Sequence, residues 1–165
     1  MNYFKALLTS RAHSLFLPRK WKDSIQRYVR QHQPGAAGNP EAAPFERQLD
    51  FWALALASAV ARGVPPVASK PSQGGHKFAD TRSVEMSNEL CELLAVLALG
   101  ALGPDDERVE DPARIIEVAN HYAAAGCEDL LIRLQDPDLR LSTLDKAIDL
   151  AKELVHAVEG SQPRW

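Results

Sequence analysis

Few residues in this sequence could support covalent catalysis, and His121 and Cys127 are the only histidine and cysteine close together. A catalytic thiol needs a base within hydrogen-bond reach and a third group that orients the base. The two residues are six positions apart along a predicted helix and turn, which does not place them on one face. We therefore predict a structural histidine and a buried cysteine. Cys91 also lies in apolar helical sequence, and both thiols are expected to be reduced and buried.

Clusters of metal-ligating side chains give only weak signals. Asp149, Glu153 and His156 stand at i, i+4 and i+7, but no HExxH or CxxC pattern accompanies them. Carboxylates also surround one predicted turn, at Asp105, Asp106, Glu107, Glu110 and Asp111. They lack the alternating ligands and central glycine of a calcium loop, and negative charge is favoured at helix N-termini. The sequence predicts no metal, no cofactor and no catalytic residue.

A long connection at residues 63–82 contains the run Gly74-Gly75-His76-Lys77, whose composition resembles that of phosphate-binding loops. The GxxxxGK[ST] spacing of a P-loop is missing, and no predicted strand precedes the run. Loops of this length are uncommon in compact domains and are often functional. We expect a flexible loop that contacts a partner and is fixed to the body by Phe78. The expected contact residues are Lys70, His76, Lys77 and Phe78.

Positive charge is concentrated in the first 33 residues. They carry seven Lys and Arg against Asp23 alone, so this segment is +6 and the remainder −9 within a total of −3. A helix predicted to start at Pro18 has an apolar stripe and, opposite it, a cationic strip roughly 15–18 Å long. The strip consists of Arg19, Lys20, Lys22, Arg27 and Arg30. It could meet nucleic-acid phosphates or an acidic protein, or it could be the solvated face of a docked helix.

Two strongly apolar helices are predicted to occupy the centre of the molecule. The first covers about residues 44–62, begins at a proline and ends before Gly63, and only Ser58 interrupts its apolar run over residues 51–61. That run rises roughly 16 Å, which is short of the roughly 30 Å of a bilayer core. The second covers about residues 83–102. Helices that are apolar on nearly every side must be buried, so we expect the two to pack against each other.

Another pair of helices is expected around Gly126. Asp111 and Pro112 indicate an N-cap and a first helical residue, and Gly126 indicates the end of that helix before a short second one. Such a pair could form a DNA-reading helix-turn-helix. Glu128 and Asp129 would then lie at the start of the reading helix and repel the duplex, so this interpretation is disfavoured.

The fold class follows from these helical patterns, because no period-two run of β-branched residues marks a strand. We predict an all-α single domain, a bundle of five to seven helices around the two central ones, with a last helix at 142–158. The expected organisation is a basic helical arm at 1–33, a linker at 34–43 and a bundle at 44–160. An apolar content of 45% can fill one core. No secretion signal is recognised, and a cytoplasmic location is expected.

Three short strings carry a resemblance to a known class of protein. They are PFERQLDFW at residues 44–52, KFAD at 77–80 and IIEVAN at 115–120. The region of about residues 44–126 that contains them resembles small helical accessory proteins encoded in bacterial antiphage defence loci. The resemblance implies a bacterial subunit that works beside larger ATPase, nuclease or DNA-modifying partners in antiviral defence. It transfers no functional residue.

These observations favour a cytoplasmic, non-enzymatic adaptor subunit of a multi-protein complex that acts near DNA. The expected partners are larger protein subunits, with DNA or RNA contacted through the cationic strip, and no membrane. Self-association is left open. The alternatives are a nucleic-acid-binding protein that uses the basic N-terminal helix, and a small metal- or thiol-dependent enzyme.

Overall fold

The protein's computed structural model describes residues 3–32, 43–103 and 106–136. The expected linker, apart from Ala43, and the expected helix at 142–158 with its candidate metal ligands lie outside these residues. Within the described ranges, the chain forms five α-helices and one pair of strands. In chain order they are α1 (Tyr3–Thr9), β1 (Ser14–Pro18), α2 (Lys22–Arg27), α3 (Gln48–Ala61), β2 (Gly75–Asp80), α4 (Asn88–Leu102) and α5 (Pro112–Gln135).

The expectation of an all-α fold is wrong, because β1 and β2 form an antiparallel sheet in which Leu17 pairs with His76. Leu15 and Leu17 are buried while the residues between and beside them are half-buried, which is the alternation of a strand with one covered face. Phe16 hides this alternation in the sequence, because it makes the segment read as a continuous apolar run. β2 contains no β-branched residue, so its sequence gives little strand signal either. The fold is mixed, although it is mostly helical.

The central helix of the described structure is α5. Twelve of its 24 residues are buried. Both apolar helices lie chiefly against it, and the contact between α3 and α5 is the most extensive between any two elements. The prediction that the two apolar helices pack against each other is therefore wrong. Because α4 lies at the edge, it leaves Val96 and Leu99 65% and 40% exposed.

Gly126 lies inside α5, so the predicted helix end at this residue is wrong. A Cβ atom at this position would lie 1.9 Å from the backbone oxygen of Ala55 in α3. The glycine therefore allows α3 and α5 to approach each other closely, which is a packing role rather than a capping role. Since α5 continues through Gly126, the helix-turn-helix interpretation also loses its turn.

The predicted ends of the apolar helices are confirmed at their C-termini. Gly63 follows α3 with φ +64°, and Gly103 follows α4 with φ +86°. Both helices begin later than expected, however. Ser87 caps α4 by accepting the backbone N–H of Leu90 at 3.1 Å. Phe45 is used in a backbone bridge to Val29, and α3 starts at Gln48 after the extended Arg47, whose backbone N–H donates to the Asp50 carboxylate at 2.9 Å.

One hydrophobic core joins the helices and the sheet, and Phe51 and Trp52 are among its largest fully buried side chains. Cys91 and Cys127 are free and buried, which confirms the prediction of two buried thiols. Among the described helices, none combines the length and apolar character needed to cross a bilayer.

Candidate functional site

Three of the predicted cationic residues lie at one end of the sheet. β1 ends at Pro18, and Arg19, Lys20 and Lys22 follow in a short 3-10 helix and the first turn of α2. All three side chains are exposed. The backbone N–H of Arg19 donates to the carbonyl of Gly74 at 2.9 Å. This bond holds the N-terminal cations beside the segment that precedes β2.

His76 brings an imidazole to the same place from β2. Burial lowers the pKa of His76, and the nearby positive charges of Lys22 and Arg19 lower it further. The Arg19 guanidinium also donates to the carbonyl of Gly75 at 3.4 Å. Hereafter the three permanent cations Arg19, Lys20 and Lys22, together with the adjacent His76 imidazole, which is neutral near pH 7, are called the cationic surface. The basic N-terminal segment and the predicted contact loop thus meet at one surface.

The predicted cationic strip does not extend along a single helix. α2 ends at Arg27, after which the N–H of Phe45 donates to the carbonyl of Tyr28 at 3.1 Å. The N–H of Arg30 donates to Phe45 at 2.8 Å, so it is not available to a longer α2. Arg27 is exposed, whereas Arg30 is half-buried in a separate 3-10 helix. The placement of Arg30 on the same helical strip is therefore wrong.

The other predicted loop contacts lie in three different environments. Lys70 forms an ion pair with Glu117 at 2.8 Å. Phe78 is half-buried and packs against the core. Lys77 is exposed, and the alternation of a strand places it on the opposite face of β2 from His76. Of the four residues, only His76 belongs to the cationic surface.

A groove of about 510 Å³ lies beside the cationic surface. Arg19, Lys20, Trp21 and Val67 contribute to its mainly apolar lining. The Lys20 ammonium lies 5.0 Å from the centre of the Trp21 ring. Its contact with Glu128 is 3.9 Å long, and both side chains are more than half exposed, so this ion pair is weak.

A second cavity, of about 390 Å³, is lined by the segment before β1, the segment around residues 69–70 and the first turns of α5. It is hereafter called the polar cleft. Lys70 and Arg114 both pair with the carboxylate of Glu117. The hydrogen bond from Lys70, followed by that from Arg114, lowers the pKa of Glu117. The polar lining consists of His13, Ser14, Ser69, Lys70, Asp111, Arg114, Glu117, Asn120 and His121.

Four buried polar atoms around the polar cleft find no hydrogen-bond partner in the described part of the chain. They are Ser69 Oγ, His13 Nε2, His121 Nε2 and Arg114 Nε. Burial is also the main cause of a lowered pKa at His121. Buried polar groups in proteins are nearly always paired. Residues that carry four such atoms line this one cavity, which makes it a candidate ligand site.

The sequence interpretation missed the polar cleft, although one signal for it is present. Arg114, Glu117 and His121 stand at i, i+3 and i+7, so they share one face of α5. The sequence does not show that residues 12–14 and 69–70 lie over this face. Asn120 holds β1 there, because its side-chain oxygen accepts the backbone N–H of Phe16 at 2.8 Å.

The histidine and cysteine considered for thiol chemistry are not brought together. Burial raises the pKa of Cys127 to about 12, so it remains a protonated thiol, whereas the reactive form is the thiolate. His121 lines the polar cleft and a smaller neighbouring cavity, whereas Cys127 lies in the core. Among the described residues, no group of three His, Cys, Asp or Glu side chains is placed to hold a metal ion.

Comparison with known proteins finds no match to a family model, a curated protein or a solved structure. The resemblance to accessory proteins of antiphage defence loci therefore stays a prediction.

Proposed function

We propose that this protein is a non-enzymatic adaptor subunit that contacts nucleic-acid phosphates through its cationic surface while its body binds larger protein subunits. The observation that carries the proposal is the meeting of Arg19, Lys20 and Lys22 with His76 at one end of the sheet. The sheet and its flanking backbone hydrogen bonds fix these side chains on the folded body. Positive charge held in a fixed arrangement favours binding to a regularly charged partner.

The charges of this surface are available to a ligand. Within the described residues, Arg19 and Lys22 form no ion pair, and the long, exposed contact of Lys20 with Glu128 contributes little. Lys and Arg side chains that neutralise phosphates release condensed counterions, which makes such binding strongly dependent on salt.

The adjoining groove favours a nucleic acid over an acidic protein. Trp21 and Val67 provide an apolar wall directly beside Arg19 and Lys20, and the single carboxylate among the described lining residues, Glu128, lies against Lys20. Single-stranded nucleic acids are commonly bound by this combination, in which cations follow the backbone and aromatic rings stack on bases.

A different surface supports the adaptor role. Val96 and Leu99 are three residues apart on α4 and are 65% and 40% exposed, so they form an apolar face at the edge of the molecule. Apolar residues grouped on a surface often mark contacts with other proteins. The resemblance to accessory proteins of defence loci supports a larger bacterial assembly as the setting, with antiviral defence as its task.

Nucleic-acid binding is tested by fluorescence anisotropy with a labelled single strand and a labelled duplex, between about 50 and 200 mM salt. We expect affinity to fall steeply with salt and to fall roughly tenfold further in Lys22→Glu. The matched control is Arg82→Glu, an exposed charge just beyond the other end of β2. An equal loss of nucleic-acid affinity in Lys22→Glu and Arg82→Glu would contradict the proposal. Absence of binding by the wild-type protein at low salt would contradict it as well.

The adaptor role needs a separate test. Affinity purification from the native host, followed by mass spectrometry, is expected to recover a larger partner with the wild-type chain. Val96→Glu combined with Leu99→Glu should reduce that recovery, whereas Lys22→Glu should leave it unchanged. A free, monodisperse monomer with no stoichiometric partner would rule the role out.

A further inference from the structure

We propose that the polar cleft is a second binding site, for a small molecule that carries an oxyanion, either a phosphate or a carboxylate. Its volume of about 390 Å³ lies within the range of small-molecule sites, roughly 300–1,000 Å³. None of the charged residues that line this site belongs to the cationic surface. Its oxyanion would be held by Ser69, Arg114 and Lys70, with His13 and His121 beside them.

The unpaired polar atoms specify what the ligand must offer. The Nε–H of Arg114 can only donate, and it is buried without a partner among the described residues. The hydroxyl of Ser69 is also buried without a partner among the described residues, and Ser69 is only 2% exposed. A ligand that satisfies Arg114 must therefore present an acceptor oxygen, and the Ser69 hydroxyl can donate to a second one, as a phosphate or carboxylate offers.

The charged lining leaves further donors for such a ligand. Lys70 and Arg114 are both directed to the single carboxylate of Glu117. One ammonium carries three donors and one guanidinium five, so the carboxylate does not exhaust them. The Asp111 carboxylate is engaged in capping α5, since it accepts the backbone N–H of Ala113 at 3.0 Å. The permanent charges of these four side chains cancel, so recognition depends on directed hydrogen bonds more than on net charge.

The position of α5 adds to the preference for negative charge. Its first residues, including Asp111, Ala113 and Arg114, line the polar cleft, and the helix is 24 residues long. The positive end of the helix dipole therefore faces the site. The two histidines give the site a reporter, because a bound oxyanion favours the protonated imidazole of His121 over the neutral one.

The site can be tested on the full chain by NMR, following the imidazole resonances of His13 and His121 during titration with inorganic phosphate and, separately, acetate. We expect saturable shifts with at least one anion, and the anion that saturates identifies the oxyanion class. Ser69→Ala and Arg114→Gln should each weaken binding roughly tenfold. Circular dichroism of each variant checks that it remains folded.

Lys22→Glu serves as the matched control, because it alters the cationic surface and leaves the polar cleft intact. It should leave the anion affinity unchanged while it weakens nucleic-acid binding, so the two sites can fail independently. Linear, non-saturating shifts with both anions would overturn the proposal. Equal affinity in wild type and a folded Ser69→Ala variant would overturn it as well.

Discussion

The indole N–H of Trp52 donates a hydrogen bond to the side-chain oxygen of Asn120 at 3.2 Å, and both residues are buried. The same oxygen accepts the backbone N–H of Phe16 at 2.8 Å, and the Asn120 amide donates to the carbonyl of Ser14 at 3.0 Å. Two donors face the oxygen and one acceptor faces the nitrogen, so the orientation of the amide is defined by its partners. One side chain of α5 therefore holds both α3 and β1 against this helix, and β1 contributes to the polar cleft.

Removing this amide should destabilise the protein strongly. In Asn120→Ala, the buried donor of Trp52 and the part-buried donor of Phe16 lose their acceptor, and we expect the free energy of unfolding to fall by about 3 kcal/mol. Urea denaturation followed by circular dichroism measures the change. Asn88→Ala, at an exposed position in the first turn of α4, is the control and should change stability by less than about 0.5 kcal/mol. Similar effects for the two variants would contradict the assigned role of Asn120.

The two helical glycines Gly126 and Gly100 should respond to alanine in opposite directions. A Cβ at Gly126 would lie 1.9 Å from the Ala55 oxygen, so Gly126→Ala must push α3 away from α5, at a cost of about 2–4 kcal/mol. A Cβ at Gly100 meets no described atom within 4 Å. Gly100→Ala should therefore stabilise α4 by about 0.5–1 kcal/mol. Thermal unfolding distinguishes the two, and a neutral Gly126→Ala would mean that the helices are not in close contact.

The features that the sequence predicts correctly are those decided within a few residues. Gly63 and Gly103 end their helices in positive-φ conformations, and Asp111 caps α5, because capping depends only on the nearest backbone groups. Gly126 was misinterpreted because the same residue type also permits close helix packing, and its partner Ala55 is distant in the chain. The strands were missed for the same reason, since β1 is stabilised by a partner some 60 residues away.

In the candidate sites, too, the sequence predicts the features that depend on nearby residues and misses those that depend on distant ones. Charge composition predicts that Arg19, Lys20 and Lys22 form a basic region, but only the strand pairing shows that His76 joins them. The helical spacing of Arg114, Glu117 and His121 is visible in the sequence. The polar cleft requires in addition that two remote segments lie over α5, and no local pattern reveals that.

Both cysteines should be unreactive in the folded protein. Burial raises the pKa of Cys127 to about 12 and also raises that of Cys91, so little thiolate exists at neutral pH. We expect no labelling by a thiol reagent at about pH 7 without denaturant, and two equivalents after unfolding. The control is Ser72→Cys, which adds a cysteine at an exposed position. This added thiol should be labelled at once, which would show that the reagent is active. Rapid labelling of the wild-type protein would contradict the burial of both thiols.

His121 should make the folded state sensitive to mild acid. Burial first, and then the positive charges of Arg114 and Lys70, lower its pKa below the ordinary 6.5, with partial opposition from Glu117. The unfolded state then binds a proton more readily, so the free energy of unfolding should decrease as the pH falls through about 6.5, and this decrease should stop below the folded-state pKa. His76 acts in the same direction. We expect His121→Gln to reduce the loss of stability between about pH 7 and pH 5, as measured by urea denaturation at each pH. An unchanged pH dependence would show that His121 is as well solvated in the folded chain as in the unfolded one.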